Sequence, residues 1–197
     1  TFALSKCAYA ADDAHDHDNS LLRAFYRGDG SSSIDRVLVV DCDVHQGDGT
    51  ATFAYESSSL HNKLFTLDIH AENNYPHPKE VCSYDIGLPD DCGDELYLSE
   101  LASSLEKALR EVQPHLVLYN AGVDVYMSDK LGRLEVSWEG MKQRDLHVIR
   151  TCVDRKIPVA AVVGGGYDND PHMLGKRHAL VHRACAQVWR EKKMWTR

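Results

Sequence analysis

The segment Val37-Leu-Val-Val-Asp41-Cys-Asp43-Val-His45-Gln-Gly-Asp48-Gly-Thr50 joins a strand, a group of ligand-type side chains and a turn. Its first four residues are β-branched or leucine, the composition of a strand buried on both faces of a parallel sheet. Asp41, Asp43 and His45 follow at alternate positions, and side chains at i, i+2 and i+4 of an extended chain share a face. Gly47 and Gly49 then turn the chain, so two carboxylates and an imidazole are expected to converge where the strand ends. Taken alone, an Asp-x-Asp-x-His string also fits a loop whose acids cap the next helix. Its position favours a metal, because ligand sites in open parallel sheets collect at the carboxyl ends of strands. Acids buried together also repel unless a cation joins them. Carboxylate and neutral imidazole suit a divalent first-row metal, zinc above all.

The 197 residues, 43% of them hydrophobic, suffice for one large domain with its own core, or for a piece of one. A formal net charge of -8 excludes the whole-chain basic field that binds nucleic acid and suits a basic peptide partner. The cysteines, Cys7, Cys42, Cys82, Cys92, Cys152 and Cys185, form no Cys-x-x-Cys pair. That argues against a disulfide framework or a zinc knuckle and for a reducing setting, cytoplasmic or nuclear, with an organelle also compatible. The longest apolar run, 157–163, is too short to cross a bilayer, and no basic-then-apolar secretory pattern opens the chain. The first residue is Thr rather than Met, as expected of a processed form or a fragment.

Residues 1–33 carry little pattern. The run 10–18, with His15 and His17, reads as a solvated acidic loop, and Ser20 as the cap of a short helix from Leu21 to Arg27. Downstream, a short helix is expected from Thr50 to Tyr55, a strand from Lys63 to Ile69 ending at Asp68 and His70, a loop over 73–79, and an extended piece from Asp85 to Pro89. From Glu95 to Val112 the residues Leu98, Leu101, Leu105, Leu109 and Val112 recur at three- and four-residue steps, the mark of an amphipathic helix, with Asp94 as its cap. His115 to Tyr119 is a strand leading to Asp124, and Trp138 to Asp154 a helix capped by Ser137. Pro158 to Val163 is a strand ending in Gly164-Gly-Gly-Tyr167, and Met173 to Glu191 a last helix, with His178 packed inward rather than ligating. Such alternation specifies an α/β fold, a parallel sheet with helices on both faces. Four strand ends then bring Asp41, Asp43 and His45, Asp68 and His70, Asp124, and the glycine run with Tyr167 to one rim.

Four motifs stand in register: Asp41-Cys-Asp-Val-His-Gln-Gly-Asp-Gly-Thr50, Tyr119-Asn-Ala-Gly-Val-Asp124, Asp129-Lys-Leu-Gly-Arg-Leu134 and Gly164-Gly-Gly-Tyr167. In this order and at these separations they resemble the zinc-dependent histone deacetylase family, with its acetylpolyamine amidohydrolase relatives, over about residues 37–186. The resemblance implies an arginase/deacetylase-like fold. Residues 34–197 would be a partial domain, its N-terminal part missing, behind a poorly matched segment 1–33. It also implies a zinc held by Asp43, His45 and Asp124, a set that leaves a position for water and for a substrate carbonyl. Tyr167 is then the oxyanion donor, with Gly165 and Gly166 lining its approach to substrate. Asp41 and Asp48 match the carboxylates that orient a catalytic histidine pair. Asp41, Asp43, His45, Asp68 and the Ile69 carbonyl match the surroundings of a structural K+, Asp68 standing where relatives often carry Ser.

The histidine pair marks a departure. The family places adjacent histidines, in a Gly-Gly-x-His-His-Ala type of motif, upstream of the strand at Val37, and this sequence contains no His-His; His15 and His17 are split by Asp16 and lack flanking glycines. Two classes of function follow. One is a deacetylase acting on acetylated lysine peptides or another acylated amine, acetylpolyamines included, and impaired here. The other is a catalytically inactive deacetylase-like binding module. An arginase-like ureohydrolase is the weakest choice, because its two-metal pattern of aspartates has no match. A cationic acylated partner is expected, without nucleic acid or membrane, and the oligomeric state stays open.

Overall fold

A computed structural model describes residues 34–194 of the chain. The acidic run with His15 and His17, the short helix from Leu21 to Arg27, and Cys7 lie outside the described residues. Strands and helices alternate as β1 (Val37–Asp41), α1 (Asp48–Glu56), β2 (Leu64–Ala71), β3 (Tyr84–Leu88), α2 (Asp94–Val112), β4 (Leu116–Ala121), α3 (Trp138–Asp154), β5 (Val159–Val163) and α4 (Pro171–Glu191). Every strand pair is parallel, in the order β3-β2-β1-β4-β5. The sheet therefore has five strands rather than four, because the extended piece near Asp85 pairs with β2 from Leu67↔Tyr84 to Ala71↔Leu88. That pairing prolongs β2 to Ala71, so Asp68 and His70 sit within the strand and not beyond its end.

The sheet grows in opposite directions from its middle. Chain order runs from β1 through β2 to β3 on one side and from β4 to β5 on the other. With the right-handed crossovers of parallel βαβ units, α1 must lie on the face opposite α2 and α3. In the α2 layer, α2 packs on β2 and β3, α3 on β4 and β5 and on both neighbouring helices, and α4 on β5. The core between that layer and the sheet includes Leu67, Ile69, Leu101, Leu105, Val117, Met141, Val148 and Val181, all buried. The order reverses between β1 and β4, and in doubly wound sheets the crevice outside such a switch point is where ligands bind.

Local signals set the helix ends. Ser137 caps α3 as expected, its Oγ accepting from the Gly140 amide at 3.0 Å. Asp94 does not cap α2. Gly93 occupies the cap position, while the Asp94 carboxylate accepts from Ser137 N at 2.7 Å and Ser137 Oγ at 2.6 Å and so ties the starts of α2 and α3 together. Helix α4 begins earlier than Met173 because Asp170 accepts from His172 N and Met173 N and Pro171 suits the first turn. Among the described residues β5 pairs with β4 alone, and its Val162 and Val163 are 57% and 52% exposed. No described helix is long and apolar enough to cross a membrane.

Ser137 serves two helices, so Ser137→Ala is expected to lose more than an ordinary cap, about 1–2 kcal/mol. Denaturant unfolding measures it, and a loss no larger than that of an exposed Ser→Ala change on the same helix contradicts the tie.

Candidate metal centre

Beyond Asp41 the chain leaves the extended conformation and bends at residues 43–45, so the alternate-face argument holds only for the strand itself. The bend separates Asp41 from the other two. Asp41 Oδ1 accepts from Asp43 N at 3.0 Å and from Asn120 Nδ2 at 2.8 Å. Asp43 and His45 instead meet Asp124, which follows β4 across the switch point. His45 Nδ1 lies 3.1 Å from Asp43 Oδ1 and 3.3 Å from Asp124 Oδ2, and one ligand atom from each of the three falls within 4.8 Å of the others. Among the described residues no other cluster of acid, histidine and cysteine side chains meets that test.

Outer contacts hold these carboxylates in place. Asp43 Oδ2 accepts from Gly165 N at 2.7 Å, and Asp124 Oδ1 accepts from Val44 N at 2.9 Å. Asp124 Oδ2 is buried with no hydrogen-bond partner. A buried acid oxygen left bare beside an imidazole and a second acid is what a cation would complete. Two glycines permit the approach: a Cβ on Gly165 would overlap Asp124 Oδ2, and one on Gly122 would stand 2.6 Å from Asp43 Cα. Gly166 faces elsewhere, its added Cβ meeting Val123 and Leu174 at 2.6 and 2.7 Å.

Tyr167 stands edge-on to the His45 ring, centroids 6.1 Å apart at 89°. Its backbone N donates to Asp129 Oδ2 at 2.7 Å, and Asp129 Oδ1 also takes the amides of Leu131 and Gly132. The next residue, Asp168, pairs with the buried Arg177, whose guanidinium stacks 4.5 Å over the Tyr126 ring. Asp48 is half-buried in the first turn of α1, with Gly49 N donating to Oδ1 at 2.7 Å and Tyr75 Oη to Oδ2 at 3.4 Å. His70 is shut away from solvent, 2.8 Å from Asp68 and 3.8 Å from Asp85. It lacks the access to water that a proton shuttle needs. His178 has a buried, unpartnered Nδ1.

The charges of the three ligand-type groups are strongly linked. The Asp124 carboxylate beside the ring, without hydrogen-bonding geometry, and then the hydrogen bond to Asp43 lift His45 to about 9. Burial raises Asp124. Burial also pushes Asp43 up, but hydrogen bonds from the His45 ring, the His45 amide and the Gly165 amide outweigh it and hold Asp43 below its ordinary value. Without a cation, therefore, the cluster favours an ionised Asp43 beside a protonated His45 ring. Burial, followed by the charges of Asp124 and Asp43, raises the Tyr167 phenol and keeps it a hydrogen-bond donor at neutral pH.

Some of the supporting residues escaped the sequence reading. Arg144 and Asp145 are buried on the inner side of α3, and Asn120 holds Asp41. The signal for Arg144 was present: it falls three residues after Met141 and four before Val148, on the stripe that the helix period sends inward.

Asp41 and Asp68 are register neighbours on β1 and β2, both buried. Burial, and then the Asp68 charge, brings Asp41 to about 7. A carboxyl raised in the fold contributes stability that is complete below its ordinary value near 4 and is lost as pH rises through about 7. In metal-free, potassium-free buffer, Asp41→Asn is therefore expected to gain on the parent between pH 4 and pH 8, by a few kcal/mol at about 1.4 kcal/mol per pH unit. Denaturant unfolding across that range checks it, and a pH-independent difference contradicts the burial argument.

Comparison with known proteins bears on the fold and the family. Residues 19–182 match the family model of the histone deacetylase domain. An uncharacterized protein of Picosynechococcus sp. is 44% identical over 154 residues, which are 78% of this chain and 50% of that protein. Histone deacetylase 2 of Arabidopsis thaliana is 34% identical over 137 residues, 68% of this chain and 34% of the relative. Among solved structures, an HDAC homolog complexed with SAHA aligns with a TM-score of 0.62 at 23% identity, covering 79% of this chain and 42% of the other. The acetylpolyamine aminohydrolase from Burkholderia pseudomallei aligns with a TM-score of 0.62 at 21% identity, covering 79% and 45%. The chain thus spans at most about half the length of these relatives. With most of its length inside the family model and the parallel sheet its neighbours share, the chain belongs to the histone deacetylase domain family.

Proposed function

We propose that residues 34–197 form the metal-binding portion of a zinc-dependent deacylase that hydrolyses the acetyl amide of N-acetyl-lysine in histones or other proteins. The observation that carries this reading is the convergence of Asp43, His45 and Asp124 around a bare buried oxygen, with Tyr167 edge-on to the histidine. When bound there, zinc supplies Lewis-acid polarisation of an amide carbonyl and acidifies water. Asp43, Asp124 and the deprotonated His45 ring would hold the ion. The Tyr167 phenol, kept protonated, donates to the oxygen that gains charge as the carbonyl carbon becomes tetrahedral. Gly165 keeps that space open, and Gly166 seats the tyrosine turn on α4. A K+ beside Asp41, Asp43, His45 and Asp68 belongs to the same reading, since it would relieve the raised Asp41 and Asp68 carboxyls. A net charge of -8 favours a cationic acylated peptide or amine over nucleic acid. The cysteines of the described residues are free, which suits a cytoplasmic or nuclear setting, and the family adds a role in chromatin regulation to this reading.

Proton transfer is the weak step. A proton must leave the attacking water and another must reach the leaving amine, tasks that typically contribute 10²–10⁴-fold. By the family resemblance Asp41 and Asp48 match carboxylates that orient a base, but this sequence has no adjacent histidine pair for them to orient. The chain by itself is therefore proposed to turn over slowly or not at all. The sequence difference also supports the second reading, a deacetylase-like module that binds metal and acylated amine without hydrolysis. Acetylpolyamines are the alternative substrate, matching the negative charge.

Elemental analysis of the purified protein is expected to find one divalent metal per chain, lost in Asp124→Ala; equal content in both removes the metal assignment. In a deacetylation assay on acetyl-lysine peptide, the 197-residue chain is expected to be at least 100-fold below an enzyme possessing the pair. Robust turnover abolished by Tyr167→Phe would falsify the slow-step argument and place the shuttle on another residue of this chain.

A further inference from the structure

Register pairing between β1 and β4 stops at Asp41↔Asn120, and the last backbone bond across it is Cys42 N to Asn120 O at 3.0 Å. Both segments that carry the ligand-type groups lie beyond that point. Ordinary sheet pairing therefore does not set the spacing between Asp43 and Asp124. The carbonyls just before them are nevertheless tied to each other by one side chain. Arg144 of α3 is fully buried, and its Nη1 donates to Gly122 O at 2.6 Å and to Cys42 O at 3.2 Å. Cys42 immediately precedes Asp43, and Gly122 stands two residues before Asp124.

The guanidinium is itself fixed. Its Nε donates to Asp145 Oδ1 at 3.0 Å, Nη2 lies 2.9 Å from the same oxygen without hydrogen-bonding geometry, and Tyr119 Oη on β4 donates to that oxygen at 2.6 Å. Asp145 neutralises the cation, so the pair adds little net charge to the metal centre. A buried ion pair is by itself a weak stabilising device, because desolvation offsets much of the attraction. What a planar guanidinium offers here is a rigid fork that reaches two carbonyls and a carboxylate at once, which a lysine ammonium cannot reproduce.

We infer that Arg144 is a positioning residue for the metal centre: by bridging the Cys42 and Gly122 carbonyls it sets the distance at which Asp43 and Asp124 meet. The inference rests on the metal-site reading proposed above. Its test uses the full chain in three variants: Arg144→Lys; the uncharged pair Arg144→Met with Asp145→Asn; and Val188→Ala, a buried α4 residue away from the bracket, as a control for lost packing. Zinc affinity is read by competition with a chromophoric chelator, site geometry by the visible spectrum of the cobalt-substituted protein, and metal-free stability by thermal unfolding.

Arg144→Lys and the double variant are each expected to bind zinc at least tenfold more weakly, with an altered cobalt spectrum. Val188→Ala is expected to lower the melting temperature while leaving affinity and spectrum at the parent values. Parent-like affinity and spectrum in both Arg144 variants would overturn the inference. So would failure of both to fold without metal, since Arg144 would then serve the core rather than the site. If the parent binds no metal, or Asp124→Ala binds it equally well, the metal-site reading has failed. If those controls behave and only the Arg144 variants match the parent, this inference alone has failed.

Discussion

Repulsion between two carboxylates on neighbouring strand ends is the constraint around which this molecule is arranged. Asp43 and Asp124 are held against one imidazole with little water to screen them, and neither local backbone preference nor apolar packing favours that. The fold supplies the restraint from several directions: backbone amides of Val44 and Gly165 on the two acids, a glycine at each close approach, and a helix whose buried arginine reaches back to the strand ends. Such an arrangement is costly without a cation, which is the physical reason to regard it as a site.

The topology explains why those acids are neighbours at all. They are far apart in sequence, yet β1 and β4 are adjacent because the sheet grows outward in both directions from that pair. Crossover helices diverge to opposite faces at the same place, leaving a crevice above the strand ends that backbone does not fill. Tyr167 enters from β5, and its turn is pinned by Asp129 from the loop after β4, so the third wall of the crevice is anchored to the second.

Much of this was legible in the sequence because apolar periodicity is set locally. Val37 to Val40 and the leucine repeat of α2 announce their elements without reference to the rest of the chain. Apart from the start of α4, which Asp170 and Pro171 set locally, the misreadings involve partners distant in sequence. Asp94 looks like a cap until Ser137 claims its carboxylate, and the piece near Asp85 reads as extended without a place in the sheet until β2 pairs with it. Asp41, Asp43 and His45 look equivalent on an extended chain, and the bend after β1 separates them; the family resemblance names Asp124 in place of Asp41, and pairing with β4 supplies the physical reason. Arg144 was hidden for the same reason, since a charge on an inward stripe has meaning only once the strand ends beneath it are known.

The open side of β5 carries a geometrical corollary. Its outer backbone groups face away from β4, along an apolar strand whose valines are half exposed, so that margin is a rail on which another strand can seat by hydrogen bonds alone. A strand seated there in the parallel sense would finish on the rim where β5 finishes, beside the turn that carries Tyr167. Among the described residues, the β5 edge of this sheet therefore leads towards the candidate metal centre.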